Sequence, residues 1–222
     1  MSSYTPQELM VAVASREIRD GDLVFVGMRL PILAYAVARN AHAPTARGLF
    51  EVGLMRDQPA AAFLGTMGDP PNVAGALWAT RMSNAMALMA QGNVDLGFIG
   101  GAEVDRFGNL NTSYVGDPRK PSVKLPGSGG GADIAILSRR WVTLMSHERR
   151  RLVDRVSFIT SPGYGDGTPG WRKRNGLLGG VPFRSSPRWE CCVFPKAAVR
   201  PTSRRSIQVK PLTMFKATPA GN

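Results

Sequence analysis

An apolar run, Leu23-Val24-Phe25-Val26, is closed by Gly27, followed by a helical stretch from Ile32 to about Asn40, and then by a second apolar run, Gly48-Leu49-Phe50-Glu51-Val52-Gly53-Leu54-Met55. Strand, helix and strand at this spacing make a βαβ unit, whose right-handed crossover sets the two strands parallel. The pattern commits the chain to the α/β class, with an open, mostly parallel sheet flanked by helices. The second run reads as one strand interrupted by a single carboxylate. Glu51 is then either at the strand's exposed end or paired and poised for chemistry. It falls towards the carboxyl end of its strand, where open α/β sheets place their ligands.

The rest of the chain supports the same class. Thr5-Pro6-Gln7-Glu8 has capping-box spacing with proline at the first helical position, and predicts a helix to about Ile18. Arg56 to Asn72 is a loop rich in Pro, Gly and Asp, too long to be a plain connector and therefore a candidate for function. Gly75 to Gln91 reads as an apolar, methionine-rich helix whose Leu77, Met82, Met86, Leu88 and Met89 are expected to pack in the core. Val94–Ile99 is a buried strand, Arg106–Asn111 has turn or hairpin chemistry, and Trp141–Ser146 is a further strand. Arg149-Arg150-Arg151 reads as a solvated or subunit-facing charge run. Ser161–Gly167 is loop.

Between these elements lies Gly127-Ser128-Gly129-Gly130-Gly131, four glycines in five positions. Backbone amides left bare in such a loop can cradle an oxyanion or a phosphate. The Gly-x-Gly-x-x-Ala spacing there also matches a dinucleotide fingerprint in form. It lacks a convincing first strand and a ribose-binding acid.

Charge and composition narrow the function. The 222 residues include 43% hydrophobic residues, enough for a sizeable core, and no apolar stretch reaches the length of a membrane span. Neither a membrane role nor a leader is expected, and the cytoplasm is the expected location. Cys191 and Cys192 are adjacent and show no disulfide or zinc spacing. The formal charge is +12, but from Arg184 onward eight Lys or Arg face Glu190 alone, so +7 of it lies in the last 39 residues. The remaining +5 is ordinary for an enzyme that handles anions. No hydrolase elbow, phosphate-binding Walker loop or metal-ligand cluster is present, and no metal is expected. His42 and His147 stand outside any motif and read as structural.

Phe50–Met55, Phe98-Ile99-Gly100-Gly101-Ala102-Glu103-Val104-Asp105 with Gly108-Asn109, Gly127–Ala135, and Met145–Arg150 followed by Thr160-Ser161-Pro162-Gly163 occur in this order. Together they resemble the β subunit of glutaconate CoA-transferase and its relatives among the class I CoA-transferases, over most of the chain from Leu23 to about Gly180. The resemblance implies a CoA-transferase-like fold and a β subunit that moves CoA between an acyl-CoA and a free carboxylic acid. It implies Glu51 as the nucleophile, passing through an acyl-glutamyl anhydride to a glutamyl-CoA thioester with ping-pong kinetics. Gly129, Gly130 and Gly131 are then the expected oxyanion donors, with Gly101 and Ala102 close to the acyl group. Coenzyme A enters as substrate, no tightly bound cofactor is expected, and an α subunit is the expected partner in a hetero-oligomer. Three residues depart from the family pattern: Arg29 stands in place of glycine, Glu103 where many relatives have glutamine, and Val52 where a small polar residue is usual. They bear on substrate identity, and Glu103 adds a like charge near Glu51. Some relatives lack the glutamate and act by hydrolysis or ring opening, a branch that the presence of Glu51 argues against.

Residues 1–180 are the expected β-subunit domain. Residues 181–222 are basic, proline-rich and aperiodic, and are expected to be an out-of-frame remnant of the domain's C-terminal part. Read one nucleotide back, Trp189-Glu190 forces glycine, Cys191-Cys192 forces leucine and Met214-Phe215 forces valine, and the remaining codons admit the usual family C-terminus. Two alternatives stand beside the transferase. One is an inactive truncated or frameshifted product, whose missing strand would bare a sheet edge. The other is a basic nucleic-acid-binding module, although a restored tail would be nearly neutral, and no nucleic-acid partner is expected.

Overall fold

The computed structural model describes residues 4–177 and 190–195. In chain order the elements are α1 (Pro6–Arg16), β1 (Leu23–Phe25), α2 (Leu30–Ala41), β2 (Arg47–Phe50), β3 (Leu54–Arg56), α3 (Pro70–Val73), β4 (Trp78–Ala79) and α4 (Met82–Ala90). They continue with β5 (Leu96–Ile99), β6 (Glu103–Asp105), β7 (Leu110–Asn111), β8 (Tyr114–Asp117), β9 (Lys120–Lys124), α5 (Gly131–Leu137), β10 (Arg140–His147), β11 (Leu152–Val153), α6 (Trp171–Arg174) and β12 (Glu190–Pro195). α1 starts where its capping box requires: Thr5 Oγ1 accepts from the Glu8 amide at 3.2 Å, and the Glu8 carboxylate accepts from the Thr5 amide.

The main sheet has the strand order β12-β10-β5-β1-β2-β3-β4. From β12 to β2 every pairing is parallel, and β3 and β4 add antiparallel strands at the other edge. Alternation along the strands divides the core in two. Val24, Phe50, Phe98 and Val142 face α1 and α2, where Met10, Ala14, Ala34 and Tyr35 meet them. Phe25, Leu49, Ile99 and Trp141 face α4 and α5, and pack with Met89, Ile134 and Ala135. The chain thus leaves β1 for one face of the sheet and β5 for the other. This divergence opens a crevice at their carboxyl ends, the usual ligand position in such sheets.

Two elements differ from the sequence reading. Gly48–Met55 is not one strand but a hairpin, in which β2 ends at Phe50 and β3 returns antiparallel to it. Gly53, with φ of +98°, makes the reversal possible. The helix expected over Gly75–Gln91 is only α4. Gly75 takes φ of +72°, and Trp78–Ala79 pair with the free edge of β3 instead of joining the helix. Leu77 and Met82 are consequently exposed, and Ala85 and Met89 supply the buried face. At the opposite edge Glu190–Pro195 pairs in parallel with β10, so these tail residues cover the edge that a missing strand was expected to bare. The rest of the tail lies outside the described residues.

Candidate active site

Glu51 is the first residue of the β2–β3 turn. The turn is closed by the Gly53 amide donating to Phe50 O at 2.9 Å, and Gly53 O accepts from the Thr80 amide at 2.8 Å. A Cβ on Gly53 would lie 2.4 Å from Thr80 O, so backbone packs directly against backbone there. By alternation Glu51 follows Leu49 to the α5 face of the sheet, whereas Phe50 points to the α2 face. The Glu51 carboxylate is half-buried and rests on the loop that opens α5: a Cβ on Gly130 would lie 3.4 Å from Oε1 and 3.6 Å from Oε2. A Cβ at Gly130 would thus be in van der Waals contact with the carboxylate. Among the described residues Glu51 has neither a hydrogen bond nor an ion pair.

The glycine loop divides into committed and free amides. The Gly131 amide donates to Ser128 O at 2.9 Å, closing the turn before α5, while the Gly129 and Gly130 amides have no acceptor among the described residues. Gly131 packs inward, where a Cβ would lie 3.2 Å from Ser161 Oγ. Gly101 and Ala102 follow β5, separated from β2 by β1 in the sheet order. The Ala102 amide is committed to Asn111 O at 3.0 Å, and Gly101 O accepts from the Arg151 guanidinium at 3.0 Å. The structure thus brings Glu51 together with Gly130, the neighbour of Gly129 in the loop, and turns Gly101 and Ala102 towards the β6–β7 hairpin.

Several residues that hold this arrangement are invisible to local pattern. The Asn109 side chain is fully buried. It donates to Asp105 and to Gly165 O and accepts from the Gly163 and Gly165 amides at 3.0 Å each, fastening the 161–167 loop to the hairpin. Arg172 donates to Pro162 O, Gly163 O and Ala135 O at 2.8 to 2.9 Å, which ties the same loop to α5. Burial lowers the Arg172 pKa from its ordinary value, opposed by nearby Tyr164. Ser161 is fully buried with an unpartnered hydroxyl among the described residues. The links from Asn109 to the 161–167 loop and from Arg172 to Ala135 join segments more than 30 residues apart in sequence, beyond the reach of motif reading.

The three departures have distinct places. Glu103 is buried, and its carboxylate accepts from Asn111 Nδ2 at 2.7 Å and from the Ser157 amide, which binds it into the β6–β7 region. Val52 is exposed at the tip of the hairpin turn. Arg29 caps α2 with φ of 66° and ψ of −117°, and is the only non-glycine with positive φ among the described residues. An L-residue in that region is strained by ~1–3 kcal/mol. Arg29→Gly is expected to raise stability by a net ~1 kcal/mol, because the strain relieved exceeds the backbone entropy that glycine forfeits on folding. Thermal melting of the two chains checks this.

His42 has Nε2 within 3.1 Å of Ile18 O, a structural role as expected, and His147 lies in β10. Arg150 pairs with Glu148 at 2.6 Å and Arg151 reaches Gly101, so the arginine run is partly tied to the fold rather than wholly solvated. No helix among the described residues is long and apolar enough to cross a membrane.

Residues 8–172 match the family model for coenzyme A transferase, and the chain belongs to that family. Within it the similarity is to B subunits. The B subunit of 3-oxoadipate CoA-transferase from Pseudomonas knackmussii is 37% identical over 183 residues, which span 82% of this chain and 70% of the relative. The B subunit of glutaconate CoA-transferase from Acidaminococcus fermentans is 34% identical over 185 residues, 81% of this chain and 68% of the relative. The crystal structure of the glutaconate enzyme superposes with a TM-score of 0.73 at 30% identity, covering 87% of this chain and 71% of that one.

Proposed function

We propose that this chain is the β subunit of a CoA-transferase in which Glu51 is the nucleophile. The observation that carries the reading is the unpaired Glu51 carboxylate, set by a tight turn beside Gly130, whose amide, like that of Gly129, has no acceptor among the described residues. One Glu51 oxygen attacks the thioester carbonyl, and the C–S bond breaks to give an acyl-glutamyl anhydride and CoA thiolate. The thiolate then attacks the glutamyl carbonyl and expels the first acid as its carboxylate, leaving a glutamyl-CoA thioester. An acceptor carboxylate reverses the two steps and leaves with CoA, so no proton is gained or lost overall. Each attack builds a tetrahedral oxyanion, and backbone amides at Gly129 and Gly130 meet it without reorganisation.

Water must be kept from the anhydride. An α subunit seated over the carboxyl edge of the sheet supplies that cover, in keeping with relatives named as B subunits. Acyl-CoA and a free carboxylic acid are the proposed substrates, drawn from the cytoplasm. Reconstitution tests the assignment: the chain combined with a CoA-transferase α subunit is expected to exchange CoA between an acyl-CoA and a labelled free acid, and either chain alone is expected to be silent. Equal activity of the isolated chain would contradict it. We further propose that the tail derives from a shifted reading frame, on the coincidence of its charge, lost periodicity and forced residues. Resequencing the gene between Gly176 and Ser186 decides this. An unambiguous frame as given, with a matching peptide mass from the tail, would overturn it.

A further inference from the structure

The Thr160-Ser161-Pro162-Gly163 stretch stands out in the sequence, and the chemistry at Glu51 leaves it without a role. Its first two residues meet the glycine loop at both ends. Ser161 pairs antiparallel with Leu110 of β7, whose amide donates to Ser161 O at 2.9 Å. This pairing carries Thr160 to the chain that leaves β7. There Thr160 Oγ1 accepts from the Thr112 amide at 3.0 Å and is hydrogen-bonded to Ser113 Oγ at 2.8 Å. Thr160 is buried, so water is a poor substitute for that hydroxyl.

Thr112 and Ser113 in turn hold the start of the loop. Thr112 O accepts from the Gly127 amide at 2.8 Å, and Ser113 O accepts from the Leu125 amide at 3.0 Å. At the far end Ser161 lies against Gly131, where an added Cβ would be 3.2 Å from its Oγ. Between these anchors packing is open. A Cβ on Gly127 or on Gly129 would meet nothing within 4 Å beyond its chain neighbours among the described residues, and both glycines have positive φ, +102° and +47°. Glycine brings no stiffness of its own. The place of the Gly129 and Gly130 amides relative to Glu51 is therefore set by the ends of the loop, and both ends are referred to one dipeptide.

We infer that Thr160 is a positioning residue, which holds the Gly129 and Gly130 amides in register with Glu51 through Thr112, Ser113 and the start of the loop; this rests on the reading of those amides as oxyanion donors. Preorganised donors stabilise charge only where they are aimed at the atom on which it develops, so a loosened loop costs transition-state stabilisation and leaves ground-state binding intact. A hydroxyl that served stability alone would leave the kinetics of the folded complex unchanged.

Two substitutions separate these roles: Thr160→Val keeps the shape and removes the hydroxyl, and Thr160→Ser keeps the hydroxyl. In the complex with an α subunit, well below the melting temperature of each variant, Thr160→Val is expected to lower kcat for CoA transfer about tenfold with KM for acyl-CoA nearly unchanged, and Thr160→Ser to recover most of that loss. Amide hydrogen exchange of the same complexes reads the cause without reference to activity. The peptide spanning residues 125–131 is expected to exchange about tenfold faster in Thr160→Val, at the Leu125 and Gly127 amides, while β1 keeps its protection. If Thr160→Val does not fold, Ser113→Ala replaces it, since it removes only the side-chain contact to Thr160, and the same two changes are expected in smaller measure. Parent kcat in the folded variant, an equal loss in Thr160→Ser, a rise in KM in place of the fall in kcat, or unchanged hydrogen exchange over residues 125–131 would each overturn the inference. A parent complex that transfers no CoA counts instead against the reading of Glu51, and the hydrogen exchange then decides whether Thr160 holds the loop.

Discussion

Glu51→Ala is expected to lower CoA exchange by a thousandfold or more in the complex with an α subunit, while the chain folds and associates as before. The size follows from the role: a nucleophile removed from a covalent mechanism leaves only positioning and oxyanion stabilisation, and neither forms the bond. The retained fold follows from the surroundings, since the carboxylate has no hydrogen bond or ion pair among the described residues and its loss leaves no buried donor stranded. Glu51→Gln separates charge from shape, and is expected to lose exchange equally because an amide oxygen is too weak a nucleophile. A merely structural glutamate predicts the opposite pattern, with lowered stability and largely preserved exchange. Initial rates with labelled acid, beside a melting curve for each variant, read both quantities.

Gly53→Ala is expected to have the largest effect on stability. The residue has φ of +98°, and an added Cβ would meet Thr80 O at 2.4 Å and the Arg81 carbonyl carbon at 2.7 Å, both backbone atoms. Backbone strain and forced displacement together cost about 3 kcal/mol or more, a large share of what holds a domain of this size together. The melting temperature should fall by roughly 10 °C. The turn that sets Glu51 against Gly130 would be displaced with it, so exchange should fall in the same variant even well below its melting temperature. A melting curve unchanged from the parent would show that the turn is not fixed in this way.

Much of this architecture was legible along the chain. The βαβ unit is written in two apolar runs and the helix between them, and the capping box at Thr5 placed α1 to within two residues at its end. Glu51 stood out because a carboxylate in an apolar run needs a reason. The reversal at Gly53 was not legible, because hydrophobicity in Gly48–Met55 is the same whether the run continues or folds back. The glycine-rich loop concealed the start of α5, since glycine argues against helix while the apolar Ile134–Leu137 gives no period long enough to outvote it. α4 was overextended for a related reason: apolar content at Leu77 resembled a core face, but the free edge of β3 captured Trp78. The clamps at Asn109, Arg151 and Arg172 depend on contacts between distant segments, which no local pattern announces.

The central claim is that the Glu51 carboxyl becomes covalently linked to CoA, and mass spectrometry of the complex incubated with acyl-CoA and digested at low pH tests it most directly. The account predicts a peptide containing Glu51 that is heavier by CoA less one water, absent from Glu51→Ala and discharged by an acceptor acid. An exchange-competent complex that shows no adduct on that peptide, or that carries one on another residue, would contradict it.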